Sequence, residues 1–240
     1  ISFSLSLSVG RSPTAVAVAD FNGDGFQDGA IGAQGQSVGG TANAGQVYIF
    51  FGSSSFDATA DLALHQATPT PEAHFGISLA TGDVNRDGRQ DLIVGATRPP
   101  RSRANANQGE IHVFFGGNPL SAMAGFEFQQ PSVTGLGQSL GAGDVDRDGS
   151  SDIIAGVPST DAGGATSAGK VLIFYGGPGL DGLDDIQLQS PAPVRNELFG
   201  TTVAAGDVNG DRRTDVVVGA IYKSVVPPSG PGKVFVFLGQ

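Results

Sequence analysis

A chain of 240 residues, 39% of them hydrophobic, holds enough apolar material for a full core, which excludes a disordered polypeptide. A formal charge of −10 excludes nucleic acid and anionic membranes as natural partners, and no run of about eighteen apolar residues is present to insert into a bilayer. The absence of cysteine removes disulfides, thiolate metal sites and cysteine nucleophiles, while 38 glycines and 14 prolines point to many turns and short strands.

The chain opens on Ile1–Ser8, which alternates apolar and hydroxyl residues with period two and reads as a strand. Numbering from Ile1 without a leader pattern reads as a processed or trimmed product. A small-residue strand follows at Ala15–Ala19, then an acidic loop from Asp20 to Asp28, then an apolar strand at Gly29–Ala33. After a glycine-rich stretch comes Gln46–Phe51, rich in β-branched and aromatic residues. The same order then returns three times. Small-residue strands are predicted at Ser78–Gly82, Ser139–Gly143 and Thr202–Gly206, and apolar strands at Leu92–Ala96, Ile153–Val157 and Val216–Ala220. The strongest strands recur at Glu110–Phe115, Lys170–Tyr175 and Lys233–Leu238, and a weaker alternating fourth strand appears at Phe126–Gln129 and Ile186–Gln189. The first loop aspartates, Asp20, Asp83, Asp144 and Asp207, lie 63, 61 and 63 residues apart. That regularity predicts a repeat architecture. Four antiparallel strands per repeat describe an all-β fold, a β-propeller of four-stranded blades.

The fourth repeat stops after its third strand, and the N-terminal strand stands where a fourth strand belongs. The expected arrangement is a single domain over 1–240, with Ile1–Ser8 completing the last blade and hiding an open edge. In the rival arrangement the same strand completes another chain's blade, giving an eight-bladed, strand-swapped homodimer instead of a monomer.

Each acidic loop is nine residues long, with oxygen-bearing side chains at positions 1, 3, 5 and 9. A hard cation such as Ca²⁺ takes six to eight converging oxygens, which alternate positions of a tight loop can supply. The predicted ligands of the first loop are Asp20, Asn22, Asp24 and Asp28 with the Phe26 carbonyl, and of the second Asp83, Asn85, Asp87 and Asp91 with the Arg89 carbonyl. The third uses Asp144, Asp146, Asp148 and Asp152 with the Ser150 carbonyl, and the fourth Asp207, Asn209, Asp211 and Asp215 with the Arg213 carbonyl. The loops hold three, three, four and three aspartates, 13 of the 23 acidic residues, so four calcium ions would bring the net charge to about −2. Metal-free Asp/Asn/Gly turns are the plain competing explanation. Three or four carboxylates packed so closely repel one another unless neutralised, which favours calcium. EF-hand and dockerin loops are excluded, because position 12 holds Ile31, Val94, Ala155 and Val218. Glycine stands at position 6 of the first three loops, where a backward turn needs positive φ. Arg212 replaces it in the fourth, so that site is expected to be the weakest and three to four ions are expected in all.

These residues resemble the FG-GAP repeat family, the blades of integrin alpha-subunit propellers and related secreted proteins. Phe75–Gly76 and Phe199–Gly200 match the FG dipeptide eight residues before each loop, Leu136–Gly137 is a near match, and Ser12–Pro13 departs from it. The GAP end stands as Gly156-Val157-Pro158 and, without proline, as Gly32–Ala33, Gly95–Ala96 and Gly219–Ala220. The resemblance implies calcium between first and second strands, an extracellular or cell-surface location, and adhesion or ligand binding by a glycan or protein partner. Family propellers are usually seven-bladed, so four repeats leave the ring size open.

No catalytic constellation stands out, and the protein is not expected to be an enzyme. His65, His74 and His112 occupy unmatched repeat positions, and no nucleophile-elbow, zincin or P-loop pattern occurs. The loops between second and third strands differ most among repeats. One carries the only basic cluster, Arg98 to Arg103, and another carries Tyr222 and Lys223; both are candidate ligand contacts, although exposed charge is usually only solvated. The main alternatives to a lectin-like or adhesion module are a structural domain of a larger secreted protein and a polysaccharide lyase or hydrolase using Arg101 or His112.

Overall fold

The computed structural model describes residues 5–97, 109–222 and 231–240. Among the described residues fifteen strands form four antiparallel sheets. Blade 1 holds β1 (Pro13–Ala19), β2 (Asp28–Ala33), β3 (Gln46–Phe50) and β4 (Leu62–Leu64). Blade 2 holds β5 (Ser78–Gly82), β6 (Asp91–Ala96), β7 (Glu110–Phe114) and β8 (Phe126–Gln129). Blade 3 holds β9 (Ser139–Gly143), β10 (Asp152–Val157), β11 (Lys170–Phe174) and β12 (Ile186–Leu188). Blade 4 holds β13 (Phe199–Gly206), β14 (Asp215–Ala220) and β15 (Lys233–Phe237). Within each sheet the strands pair in chain order, as in a propeller blade.

The repeats align in register as well as in order. The ninth loop residue opens each second strand and pairs with the residue just before the loop: Asp28 with Ala19, Asp91 with Gly82, Asp152 with Gly143 and Asp215 with Gly206. The second strands therefore begin one residue earlier than their apolar runs suggest, because the buried aspartate joins the ladder. β13 begins at Phe199, ahead of the predicted Thr202, across a register shift that brings the FG dipeptide into the strand.

The core lies between blades. One cluster joins Val47, Ile49 and Leu64 of blade 1 to Leu92, Val94 and Phe114 of blade 2. A second joins Ile111, Val113 and Phe128 to Leu140, Ile153 and Phe174, and a third joins Val171 and Ile173 to Val216 and Val218. β6 and β10, flanked on both faces, are buried along their whole length.

The FG and GAP glycines carry these joints. A Cβ on Gly32 would sit 2.0 Å from the Gly76 carbonyl oxygen, one on Gly95 2.0 Å from that of Gly137, and one on Gly156 1.9 Å from that of Gly200. The first glycine of GAP in one blade thus receives the backbone of FG in the next, and no side chain fits between them. Phe75, Leu136 and Phe199, the large residues before those carbonyls, are fully buried.

The first strands pack in succession, β1 on β5, β5 on β9 and β9 on β13, and no comparable packing joins β13 back to β1. Blade 4 has three strands among the described residues. The expected closing strand falls partly on residues 1–4, outside the described residues, and Leu5–Ser8 pair with no strand.

Candidate metal centres

The four acidic loops are the turns between first and second strands, so all lie at one end of the blades. Position 9 is the anchor. Asp28, Asp91, Asp152 and Asp215 are each buried. In every copy Oδ2 accepts the N–H of loop position 2 (Phe21, Val84, Val145, Val208), at 2.7 to 2.9 Å. Oδ1 accepts the N–H of a glycine just past the third strand (Gly52, Gly116, Gly176, Gly239), at 2.8 to 2.9 Å. This carboxylate ties the loop to its own blade, a role missed when the residue is read only as a metal ligand. The glycine is missed too, although it recurs in all four repeats. A Cβ on Gly116 would lie 2.5 Å from the Gln90 carbonyl oxygen, and one on Gly176 2.4 Å from that of Ser151. Burial pushes the carboxyls of Asp91 and Asp152 up to about 6 and that of Asp28 upward as well, against the lowering effect of these N–H bonds.

Positions 1, 3 and 5 point the other way, into the loop. Asp20 accepts the N–H groups of Gly23 and Gly25 at 2.7 and 2.8 Å, Asp83 those of Asp87 and Gly88 at 3.0 and 2.8 Å, and Asp207 those of Gly210 and Arg212 at 2.6 and 2.7 Å. The Arg212 N–H is the largest cause that lowers the Asp207 carboxyl. Position 5 accepts the N–H of position 7 in each loop: Asp24 from Phe26, Asp87 from Arg89, Asp148 from Ser150 and Asp211 from Arg213. In loops 1, 2 and 4 the position-3 amides of Asn22, Asn85 and Asn209 donate to Asp24, Asp87 and Asp211.

The third loop differs. Asp144, Asp146 and Asp152 each present a carboxylate oxygen within 4.8 Å of the others. Asp144 Oδ2 accepts the Gly149 N–H at 3.1 Å, while Asp144 Oδ1 is buried with no hydrogen-bond partner, as is Ser150 Oγ. A buried acceptor without a donor is costly. Convergent carboxylates and an unsatisfied oxygen are the donor set that a hard cation completes, so these residues fit calcium.

The fourth loop does not carry the extra backbone strain expected of it. Two positions of each loop, 4 and 6, adopt positive φ. Loop 1 has Gly23 and Gly25 there; loop 2 has Arg86 (φ 61°) and Gly88; loop 3 has Arg147 (φ 68°) and Gly149; loop 4 has Gly210 and Arg212 (φ 65°). Loops 2, 3 and 4 therefore each hold one arginine in the left-handed region, and the glycine has only exchanged places with it.

Neighbouring loops are also linked across blades. The Phe21 carbonyl accepts the Gly117 N–H at 2.9 Å, Val84 accepts from Gly177 at 2.6 Å, and Asp83 accepts from Ser151 at 2.7 Å.

The other candidates lie elsewhere. His112 is buried in β7, its Nε2 3.2 Å from Glu110 Oε2 and its Nδ1 3.1 Å from Glu127 Oε2, with the Phe75 ring edge-on at 5.2 Å. It borders a cavity of about 450 Å³ that Gln66, Thr68 and Gln129 also line. These contacts make it a packed histidine at the joint between blades 1 and 2. Tyr222 is exposed beyond β14; the Arg98 to Arg103 cluster and Lys223 lie outside the described residues. Among those residues no helix is long and apolar enough to cross a membrane.

The FG-GAP repeat model matches four segments, residues 12–50, 75–114, 136–174 and 199–237. The chain is 32% identical over 238 residues to human phosphatidylinositol-glycan-specific phospholipase D, covering 91% of this chain and 27% of that protein. It is 34% identical over 156 residues to human integrin alpha-IIb, covering 62% of this chain and 15% of that protein. The Dictyostelium discoideum phosphatidylinositol-glycan-specific phospholipase D is 33% identical over 182 residues, 65% of this chain and 19% of that protein. The chain thus spans about a quarter or less of the length of these relatives. With four matched repeats over most of its length, it belongs to the FG-GAP repeat family.

Proposed function

We propose that residues 1–240 act as one calcium-stabilised binding module with no catalytic role, working outside the cell where calcium is near millimolar. The observation that carries this reading is the donor set of loop 3, with its buried, unpartnered Asp144 oxygen and its three convergent carboxylates. Matching residues in the other three loops extend it to four sites. Asp20, Asp83, Asp144 and Asp207 at position 1, with positions 3 and 5 and the position-7 carbonyl, would hold the ions, and position 9 would add an oxygen while keeping its backbone bonds. Calcium supplies positive charge that cancels the repulsion among these carboxylates.

The ligand reading rests on the opposite end of the blades. There the loops between second and third strands differ most in sequence among repeats, while those of blades 1 and 3 share one short hairpin closed by Val38–Thr41 and Ala162–Ala165 bridges. A glycan or an extracellular protein is the ligand class we assign to that end. The names of the relatives, a phosphatidylinositol-glycan-specific phospholipase and an integrin, favour those two classes. A purely structural domain of a longer protein is the second reading, favoured by the small share of each relative that the chain spans.

A dissociation constant near 0.1 mM at about 2 mM calcium stabilises by roughly 1.8 kcal/mol per site, so four sites contribute about 7 kcal/mol. Calorimetric titration should give three to four calcium ions per chain, and excess EDTA should lower the melting temperature by many degrees. An unchanged melting curve in EDTA refutes the calcium reading. A glycan array and a pull-down of extracellular proteins separate the binding module from the structural domain, which would bind neither.

A further inference from the structure

The four acidic loops differ at two points that bear on how tightly each holds an ion. The first is position 3. Asn22, Asn85 and Asn209 stand there in loops 1, 2 and 4, and each amide donates to the position-5 carboxylate, at 3.0, 3.2 and 3.1 Å. In loop 3 the residue is Asp146, which has no N–H to give, so that internal pairing is absent and a fourth carboxylate enters the loop. Among the described residues, only loop 3 brings three carboxylates within 4.8 Å of one another, those of Asp144, Asp146 and Asp152. Loops 2 and 4 also carry two arginines each against one in loop 3, while loop 1 has no arginine but offers three carboxylates.

The second point is how firmly the loop is held. Position 7 is Phe26, Arg89, Ser150 and Arg213, and of these only Ser150 is buried. Its Oγ has no hydrogen-bond partner, as Asp144 Oδ1 has none, so two buried oxygens of this loop lack donors. The next residue, Ser151, donates its N–H to the Asp83 carbonyl of blade 2 at 2.7 Å, and no such bond runs from Gln90 of loop 2 to Asp20 of blade 1. The Arg86 side chain of blade 2 lies against the same loop, 3.3 Å from where a Cβ on Gly149 would stand. Arg86 is exposed, so solvent screens its charge.

We infer that loop 3 is the primary calcium site of this chain, filling at calcium concentrations at least about tenfold below those that fill loops 1, 2 and 4. Ligand charge and site rigidity set the affinity of oxygen sites for calcium, and both favour this loop. Without a cation its carboxylates repel with no amide between them, and a buried oxygen stays unsatisfied. A bound ion relieves both at once. The bonds from Ser151 to Asp83 and from Gly177 to Val84 place this loop on the joint between blades 2 and 3. That joint is therefore the first to be stabilised as calcium rises. The inference rests on the calcium reading above and adds the order in which the sites fill.

Tyr175 gives the site its own signal. It lines one cavity with Asp146, and its phenol is raised above the ordinary value by burial and then by Asp146, Asp152 and Asp185. Calorimetric titration of the full chain with calcium should show one ion in a separate, tight phase. Terbium luminescence excited through tyrosine should saturate within the first equivalent and vanish in Tyr175→Phe. Asp146→Asn copies the other three loops and keeps the acceptor of the Asp148 N–H, so it should merge the tight phase with the rest. In EDTA that variant should melt no lower than the wild type, because it removes only repulsion. Ions of equal affinity, a tight phase that survives Asp146→Asn, a first equivalent of terbium that stays dark, or a lower melting point in EDTA overturns the inference. Calcium uptake by equivalent sites leaves the calcium reading standing, whereas no uptake by any loop refutes both.

Discussion

Asp152→Ala separates the two jobs of the acidic loops. Asp152 is buried and takes two backbone donors, the Val145 N–H at 2.7 Å and the Gly176 N–H at 2.9 Å. Truncation leaves both unpaired. An unsatisfied buried N–H costs about 1–3 kcal/mol; Gly176 is buried and Val145 half-buried, so the pair costs about 2–4 kcal/mol. Removing a carboxylate whose burial raises it to about 6 returns part of this, leaving a net loss of roughly 2–3 kcal/mol. In a chain of this size that lowers the melting temperature by about 4–12 °C. The assay is thermal denaturation in excess EDTA, so that metal plays no part. Asp146→Ala is the companion variant. Its exposed carboxylate accepts the Asp148 N–H, at 3.0 Å, and its loss should cost less than about 1 kcal/mol in EDTA while weakening calcium binding. If Asp152→Ala melts with the wild type in EDTA, or Asp146→Ala falls equally far, position 9 is not a metal-independent anchor.

The blade joints give a matched pair of glycine substitutions. Gly156→Ala places a Cβ 1.9 Å from the Gly200 carbonyl oxygen and should cost at least about 1–3 kcal/mol in urea denaturation, whereas Gly219→Ala meets the Thr202 hydroxyl at 2.4 Å, which can rotate away, and should cost clearly less; equal costs would refute the joint. A pH series in EDTA tests the buried carboxyls. Asp91 and Asp152 sit near 6 against an ordinary 3.8, so the folded chain holds more protons than the unfolded one between those values. Their charged, buried forms destabilise the metal-free fold at neutral pH, and this is relieved as pH falls through about 6. The metal-free melting temperature should therefore rise from pH 7.5 to pH 5, while the increment added by calcium shrinks as protons compete for the same oxygens. A metal-free melting temperature that falls steadily over that range contradicts the assignment.

Strand order, blade boundaries and loop positions were legible because each rests on local chemistry repeated four times. Val47, Ile111, Val171 and Val234 all read as buried strand residues, and the β-branched pattern identifies their strand in every copy. Whether such a residue is covered depends on what stands beyond it, which a repeat pattern does not encode, and Val234 alone among them is exposed. The loop aspartates read alike as oxygen donors, yet Asp152 is held by backbone groups from β11's far end, 24 residues on, while Asp144 keeps an oxygen free. Composition at a position does not distinguish an anchor from a ligand. The strain expected at Arg212 was misjudged because Arg86 and Arg147 adopt the same conformation two residues earlier in their loops.

The bonds from Gly117 to Phe21 and from Gly177 to Val84 join the first and second loops to the blade after each, at a spacing that the repeat length sets. A whole unit gained or lost by duplication or deletion would leave such bonds intact, since the incoming blade brings its own backbone N–H at that position and its own loop carbonyl. A cut inside a unit would strand one partner of each. The joint therefore favours growth of such chains by whole blades, and makes the ring size a quantity that can change without redesigning any contact.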